Sequence, residues 1–222
     1  MVAGEGSIRV FVVDDHPIVR AGVRLLVSGM PGYELCGETG KAEGAAEAAA
    51  AARPDAVISD LVLGSGRDGV ELVAGLRAAL PAAKLLVFSM HPEHLFAERV
   101  LKAGADGYLM KGGDLGELKE ALLQVMAGKV SLSDKMRTRL ESARWFGPRQ
   151  EGPLASLSDR EMQVFLRLGS GLSNQEIAEE LGVSIKTVSA HRENLKSKLG
   201  LESAAELVRH AVTYVLGRGS AT

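Results

Sequence analysis

The chain has 222 residues, enough for one large domain or two small ones, and a composition of 46% hydrophobic and 24% charged residues excludes a disordered or fibrous protein. A single cysteine, Cys36, excludes an intramolecular disulfide framework, and the apolar stretch Ile8 to Val13 stops at Asp14 and Asp15, so neither a signal peptide nor a membrane span is expected and the protein reads as cytoplasmic. The net charge of −2 carries no nucleic-acid signal, because residues 1–128 hold 12 basic against 17 acidic groups, residues 129–153 hold 6 against 3, and residues 154–222 hold 8 against 8.

In chain order, short β-rich runs alternate with helix-like segments. Ile8 to Val13, Tyr33 to Glu38, Asp55 to Ser59, Lys84 to Phe88 and Gly107 to Met110 read as strands. Pro17 to Ser28, Ala42 to Ala52, Asp68 to Leu80, Glu93 to Ala103 and Asp114 to Ala127 read as helices between them. Strict alternation predicts an α/β domain over residues 1–128, with a five-stranded parallel, doubly wound sheet covered by helices on both faces. Cys36 lies in the second strand and reads as a buried structural thiol.

After Gly128 the strand pattern ends. Residues 129–153 read as an interdomain helix, Ser133 to Phe146, followed by a linker punctuated by Gly147, Pro148, Gly152 and Pro153. Residues 154–222 read as a small all-α domain of four helices. Two S-x-x-E capping boxes, Ser158 with Glu161 and Ser173 with Glu176, mark helix starts; a third start falls at Ser184 and a fourth near Glu202.

In an open parallel sheet, ligands bind beyond the carboxyl ends of the strands, where strand order reverses. Those ends carry Asp14 and Asp15, Asp60, Ser89 and Lys111. Clustered carboxylates repel by roughly 4 kcal/mol per pair at about 4 Å and an effective dielectric of about 20, so three of them call for a hard divalent cation such as Mg²⁺. A metal-neutralised carboxylate suits phosphoryl transfer through an aspartyl phosphate. His16, just before Pro17 at a helix start, reads as a turn residue.

Val-Val-Asp14-Asp15-His16-Pro17, Ser59-Asp60-Leu61, Phe88-Ser89-Met90 and Gly107-Tyr108-Leu109-Met110-Lys111 together resemble a receiver domain over about residues 7–128. The resemblance implies Asp60 as phosphoacceptor, with Asp15, Asp60 and the Val62 backbone carbonyl as direct Mg²⁺ ligands and Asp14 acting mainly through water. It implies that Lys111 and Ser89 contact phosphoryl oxygens and that Tyr108 moves between outward and inward positions; an aromatic there could equally cover the sheet edge. The sequence departs from the family pattern after the acceptor. Gly64 stands where a proline is usual and one residue is inserted before Gly69, so the loop Gly64 to Gly66 is expected to be more mobile; Ser89 replaces the commoner threonine, which keeps the hydroxyl, so phosphate coupling is expected to survive.

Gly64-Ser65-Gly66-Arg67-Asp68-Gly69 matches G-x-G-x-x-G and raises a dinucleotide-binding enzyme as an alternative. The context disagrees, because the motif follows the third strand and lacks the acidic residue about 20 positions on.

In the C-terminal region, a helix from Ser184 to Leu199 puts Ile185, Val188, Leu195 and Leu199 on one face and Lys186, Ser189, Ala190, Glu193 and Ser197 on the other. Thr187, Asn194 and Lys196 flank the polar face, and residues 186–198 carry a local surplus of basic charge. Small and polar residues in front of an apolar rear suit entry into a major groove. Leu157-Ser158-Asp159-Arg160-Glu161, Gly171 through Ala178 and Ser184 through Gly200 resemble the four-helix DNA-binding domain of NarL/FixJ response regulators and LuxR-type activators. By that resemblance Lys186, Thr187 and Arg192 hold phosphates with Lys196 nearby, and Ser189, Ala190 and Glu193 face bases. The last helix would contribute to a homodimer on palindromic double-stranded DNA. The whole chain is thus expected to be a two-component response regulator and not an enzyme, phosphorylated by a partner histidine kinase. The alternative is the same architecture binding DNA without need of phosphate.

Overall fold

The computed structural model describes residues 6–63, 69–146 and 153–216. The chain divides into two compact units, Met1–Trp145 and Phe146–Thr222.

In the first unit β1 (Ile8–Val13), β2 (Tyr33–Thr39), β3 (Ala56–Ser59), β4 (Lys84–Ser89) and β5 (Gly107–Met110) form one parallel sheet in the order β2-β1-β3-β4-β5. The strands alternate with α1 (Pro17–Ser28), α2 (Ala45–Ala52), α3 (Gly69–Ala79), α4 (Glu93–Lys102) and α5 (Leu115–Met126). The α/β, doubly wound expectation is met, and element ends differ by a residue or two except at α2. That helix begins three residues later than its alanine run suggests, after a turn through residues 41–44.

The central strands are sealed on both faces, which is why they read as unbroken apolar runs. Val10, Val12, Ala56, Ile58 and Leu86 pack with Val23 and Val27 of α1 and with Leu118, Leu122 and Val125 of α5. The residues between them, Phe11, Val13, Val57, Leu85 and Val87, are buried too, and strand alternation turns them to the opposite face. Cys36 is half-buried at the register shift between β1 and β2; its thiol lies 3.3 Å from the Val10 carbonyl, and burial raises its pKa.

Strand order reverses between β1 and β3, which places a crevice beyond their carboxyl ends. Gly69 opens α3 directly against the end of β3. A Cβ there would lie 1.8 Å from the Leu61 carbonyl oxygen, so only glycine lets the helix start so close to the residue after Asp60. The preceding stretch, Gly64 to Asp68, lies outside the described residues, and with it the expectation about that loop.

Beyond α5 the chain returns to the sheet edge. The Tyr108 amide donates to the Ser131 carbonyl at 2.8 Å and the Ser131 amide to the Asp106 carbonyl at 3.2 Å. Helix α6 (Asp134–Phe146), expected in an interdomain segment, groups up to Trp145 with the first unit. Both the amide and the hydroxyl of Ser133 donate to the Glu93 carboxylate at the start of α4.

The second unit holds a 3-10 turn at Pro153–Ser156, then α7 (Asp159–Gly169), α8 (Asn174–Leu181), α9 (Ile185–Leu199) and α10 (Ala204–Leu216). Both capping boxes form as the sequence predicts, with Ser158 and Ser173 each accepting from the amide three residues on. Between α8 and α9, Gly182 adopts φ 62°, the left-handed geometry of a helix C-cap. Phe165 is fully buried and meets Tyr214 edge-on at 5.6 Å, joining α7 to α10. Among the described residues, no helix is long and apolar enough to cross a membrane.

Candidate functional site

The five expected groups follow or end strands β1, β3, β4 and β5 at the crevice side of the sheet. Asp60 is buried directly after β3; its amide donates to the Val13 carbonyl at 2.7 Å, which ties it to the end of β1. The Leu61 amide donates to Asp60 Oδ1 at 2.6 Å, with the Val62 amide 3.4 Å away, and Lys111 Nζ donates to Oδ2 at 2.6 Å. The same ammonium lies 2.7 Å from Asp14 Oδ2. A buried cation thus bridges two buried carboxylates, and the Phe88 ring lies 5.8 Å beneath it.

Burial raises the Asp14 pKa above its ordinary value, against the Lys111 ammonium and the His16 amide, which favour the charged form. Asp15 is half-buried, and His16 Nδ1 lies 2.7 Å from its Oδ1 and 3.3 Å from Asp14 Oδ1. One ligand atom from each of Asp14, Asp15, His16 and Asp60 falls within 4.8 Å of the others. Three carboxylates in that space form a donor set of hard oxygens, which fits a small divalent cation such as Mg²⁺. His16, read as a turn residue, does precede α1 as expected, yet it also reaches this cluster.

Ser89 ends β4 with no exposure, and its Oγ accepts from the His91 amide at 3.4 Å. Tyr108 is turned inward at 1% exposure, with its hydroxyl donating to the His91 carbonyl at 2.8 Å. Both β4 and β5 groups therefore engage the same loop ahead of α4. The sequence reading missed Arg20, whose Nη1 donates to the Asp14 carbonyl at 2.7 Å. No motif signals it, since its partners lie on other elements.

In the second unit α9 buries Val188 and Leu195, but Ile185, expected on the buried face, is 50% exposed and Leu199 is only half-buried. The buried stripe begins at Val188, about one turn into the helix. Lys186, Ala190, Glu193 and Asn194 are exposed, while Thr187 and Ser189 are partly covered by bonds to Ser184 Oγ and the Ile185 carbonyl. Arg192 is oriented by Asn174 Oδ1 of α8 at 2.5 Å, and Lys196 pairs with Glu193 at 2.8 Å. Lys198 turns back to Glu161 of α7 at 2.7 Å, so the basic surplus of the outward face is one charge smaller than the sequence suggested. Glu161 is buried, yet the Lys198 ammonium and the Ser158 bonds hold its pKa below the usual value.

A doubly wound domain with an acidic pocket at the β1/β3 crevice, followed by a helix-turn-helix unit, defines a receiver-type switch joined to a DNA-binding module. Residues 10–123 match the response regulator receiver domain family, and residues 155–211 match the family of bacterial regulatory proteins of the luxR type. The chain belongs to the NarL/FixJ family of two-component response regulators. It is 32% identical over 209 residues to the response regulator UvrY of Escherichia coli O6:H1, covering 94% of this chain and 95% of that protein. It is 34% identical over 208 residues to the response regulator GacA of Pseudomonas aeruginosa, covering 93% and 96%. The solved structure of RcsB from Salmonella enterica serovar Typhimurium, bound to promoter P1flhDC with the phosphomimetic BeF3⁻, is similar over 93% of this chain and 98% of its own. That likeness has 25% identity and a TM-score of 0.60.

Proposed function

We propose that Asp60 is the phosphoacceptor of residues 1–128 and that its phosphorylation by a partner histidine kinase controls DNA binding by residues 154–222, with residues 129–153 connecting them. The observation that carries this reading is the Asp60 carboxylate held between the Leu61 amide and the Lys111 ammonium, 2.6 Å from each, beside Asp14 and Asp15.

Asp15, Asp60 and the Val62 backbone carbonyl would hold Mg²⁺ directly and Asp14 mainly through water; the ion, when bound, offsets negative charge on the incoming phosphoryl group. An Asp60 carboxylate oxygen forms the new bond to phosphorus as the bond to the donor histidine nitrogen breaks, and that nitrogen departs with the electron pair and takes up a proton. Lys111 exchanges its bond to Asp60 Oδ2 for one to a phosphoryl oxygen, and Ser89 Oγ donates to another. Tyr108, inward and bonded to His91, and Ser89, bonded to the same residue, link the pocket to the start of α4 as a two-state element whose equilibrium the phosphoryl group biases.

On DNA, α9 is the recognition helix. Lys186, Thr187 and Arg192 hold phosphates, with Lys196 flanking them, and Ser189, Ala190 and Glu193 face base edges. A homodimer reads palindromic half-sites on double-stranded DNA. Asp60→Asn is expected to take up no label from a phosphodonor. Labelling equal to wild type would remove Asp60 from the mechanism. Duplex affinity measured with and without phosphodonor should differ in the wild type and not in Asp60→Asn.

A further inference from the structure

We infer that Arg20 is a positioning residue for the metal-binding acidic pocket, acting through the Asp14–Asp15 peptide from the outer side of the β1–α1 turn. The inference rests on the reading that Asp15 and Asp60 hold Mg²⁺. Arg20 stands in the first turns of α1, with its amide bonded to the His16 carbonyl. Its guanidinium donates to the Asp14 carbonyl oxygen at 2.7 Å and reaches Glu38 Oε1, at the end of β2, at 3.4 Å. Glu38 is in turn fixed by Arg24, whose Nη2 donates to both of its oxygens at 2.8 and 2.7 Å.

The Asp14 carbonyl oxygen and the Asp15 amide belong to one rigid planar unit. A charged donor clamped on that oxygen therefore fixes the plane from which the Asp15 carboxylate projects. The other side of Asp14 is fixed by its amide, which donates to the Thr39 carbonyl at 3.0 Å. Gly40 gives independent support, because a Cβ at that position would lie 3.0 Å from Arg20 Nη1 and 3.5 Å from the Asp14 carbonyl oxygen. The missing side chain makes the slot the guanidinium occupies. Groups behind metal ligands commonly change affinity by about 10- to 100-fold when removed. Arg20 contributes no ligand atom, so its effect is on how well the carboxylates are aimed.

The test is Mg²⁺ titration of the full chain by calorimetry, with melting in the absence of metal measured beside it. Arg20→Met is expected to weaken Mg²⁺ binding by about 10-fold while the metal-free melting curve keeps its shape. Arg20→Lys, which can reach the Asp14 carbonyl or Glu38 but cannot span both, should restore part of the loss. Gly40→Ala crowds the guanidinium without removing any charge and should weaken Mg²⁺ binding in the same direction by a smaller factor. If Arg20→Met does not fold, Glu38→Gln and Gly40→Ala decide the matter. Wild-type affinity in these variants, with Mg²⁺ bound by the unaltered chain, overturns the role of Arg20 alone. An unaltered chain that binds no Mg²⁺ overturns the metal reading and this inference with it.

Discussion

Lys111 bridges two buried carboxylates, Asp14 and Asp60, and its removal takes that bridging charge out of a poorly solvated pocket. Breaking a buried pair by deleting one partner costs about 3–5 kcal/mol, and Lys111→Met is expected to destabilise the first unit by that amount near neutral pH. Asp14 also gives the pH dependence. Burial already raises its folded pKa above 3.8, and loss of Lys111 removes the larger of the influences that opposed the rise, leaving the His16 amide. An acid with a raised folded pKa loses stability as pH rises from the unfolded value through the folded one, so the deficit should shrink on acidification. Urea midpoints at about pH 7 and about pH 5 check this; an equal deficit at both contradicts it. His191 behaves in the opposite sense. Burial, aided by Arg160 and opposed by Glu161, lowers its pKa below 6.5, so folding disfavours its protonated form. Below that value the unfolded chain takes up a proton that the folded one refuses, and stability falls as pH drops from 6.5 towards the folded pKa. His191→Gln should flatten that slope in urea unfolding of the second unit. Glu161, with its lowered pKa, loses its contribution only as pH falls below 4.5.

At the scale of elements, α9 divides its basic residues between two tasks. Lys186 is exposed on the outward face, whereas Lys198 anchors the end of the helix to Glu161 and to the Ser156 carbonyl. Each phosphate neutralised on a duplex contributes about 0.9 to the slope of log affinity against log salt. Lys186→Ala should lower the slope by about that much and weaken binding to all sequences alike. Lys198→Ala should leave the slope unchanged and cost about 1–2 kcal/mol of stability, a modest figure because Lys198 is 39% exposed although Glu161 is only 4% exposed. Equal slopes for wild type and Lys186→Ala would take Lys186 off the interface. The contrast also shows what sequence can and cannot reveal. The boxes at Ser158 and Ser173 were legible because both partners lie within four residues of each other. Asp14, Asp60 and Lys111 were legible because an alternating pattern fixes the topology, and the topology gathers strand ends. Arg20 with Glu38, Glu93 with Ser133 and Lys198 with Glu161 were not, because each joins side chains whose proximity only tertiary packing decides. Ile185 was misplaced for the same reason: helical period assigns it a face but not a neighbour to cover it.

For the whole molecule, a switch is a coupling free energy between the acidic pocket and the DNA-binding face, and such coupling is reciprocal. If occupation of the Asp60 site tightens duplex binding by about tenfold, the coupling is about 1.4 kcal/mol, and the duplex must tighten occupation of that site by the same factor. Beryllofluoride with Mg²⁺ serves as a reversible occupant, so both arms can be measured as binding equilibria. The expected outcome is equal factors: duplex affinity with and without beryllofluoride, and beryllofluoride affinity with and without a duplex carrying the target sequence. Random-sequence duplex at the same salt supplies the electrostatic background, since counterion release acts on any DNA. Asp60→Asn should abolish both factors together, whereas Lys186→Ala should weaken duplex binding in each state and leave the ratio near its original value. A variant that loses one arm and keeps the other is incompatible with a single two-state element linking the units. On the proposed reading that element lies at the start of α4, where Ser89 and Tyr108 bond His91 and Glu93 receives Ser133 from the segment leading into α6. Tyr108→Ala should therefore shrink both factors equally while Mg²⁺ still binds, because it removes the linkage and none of the ligands.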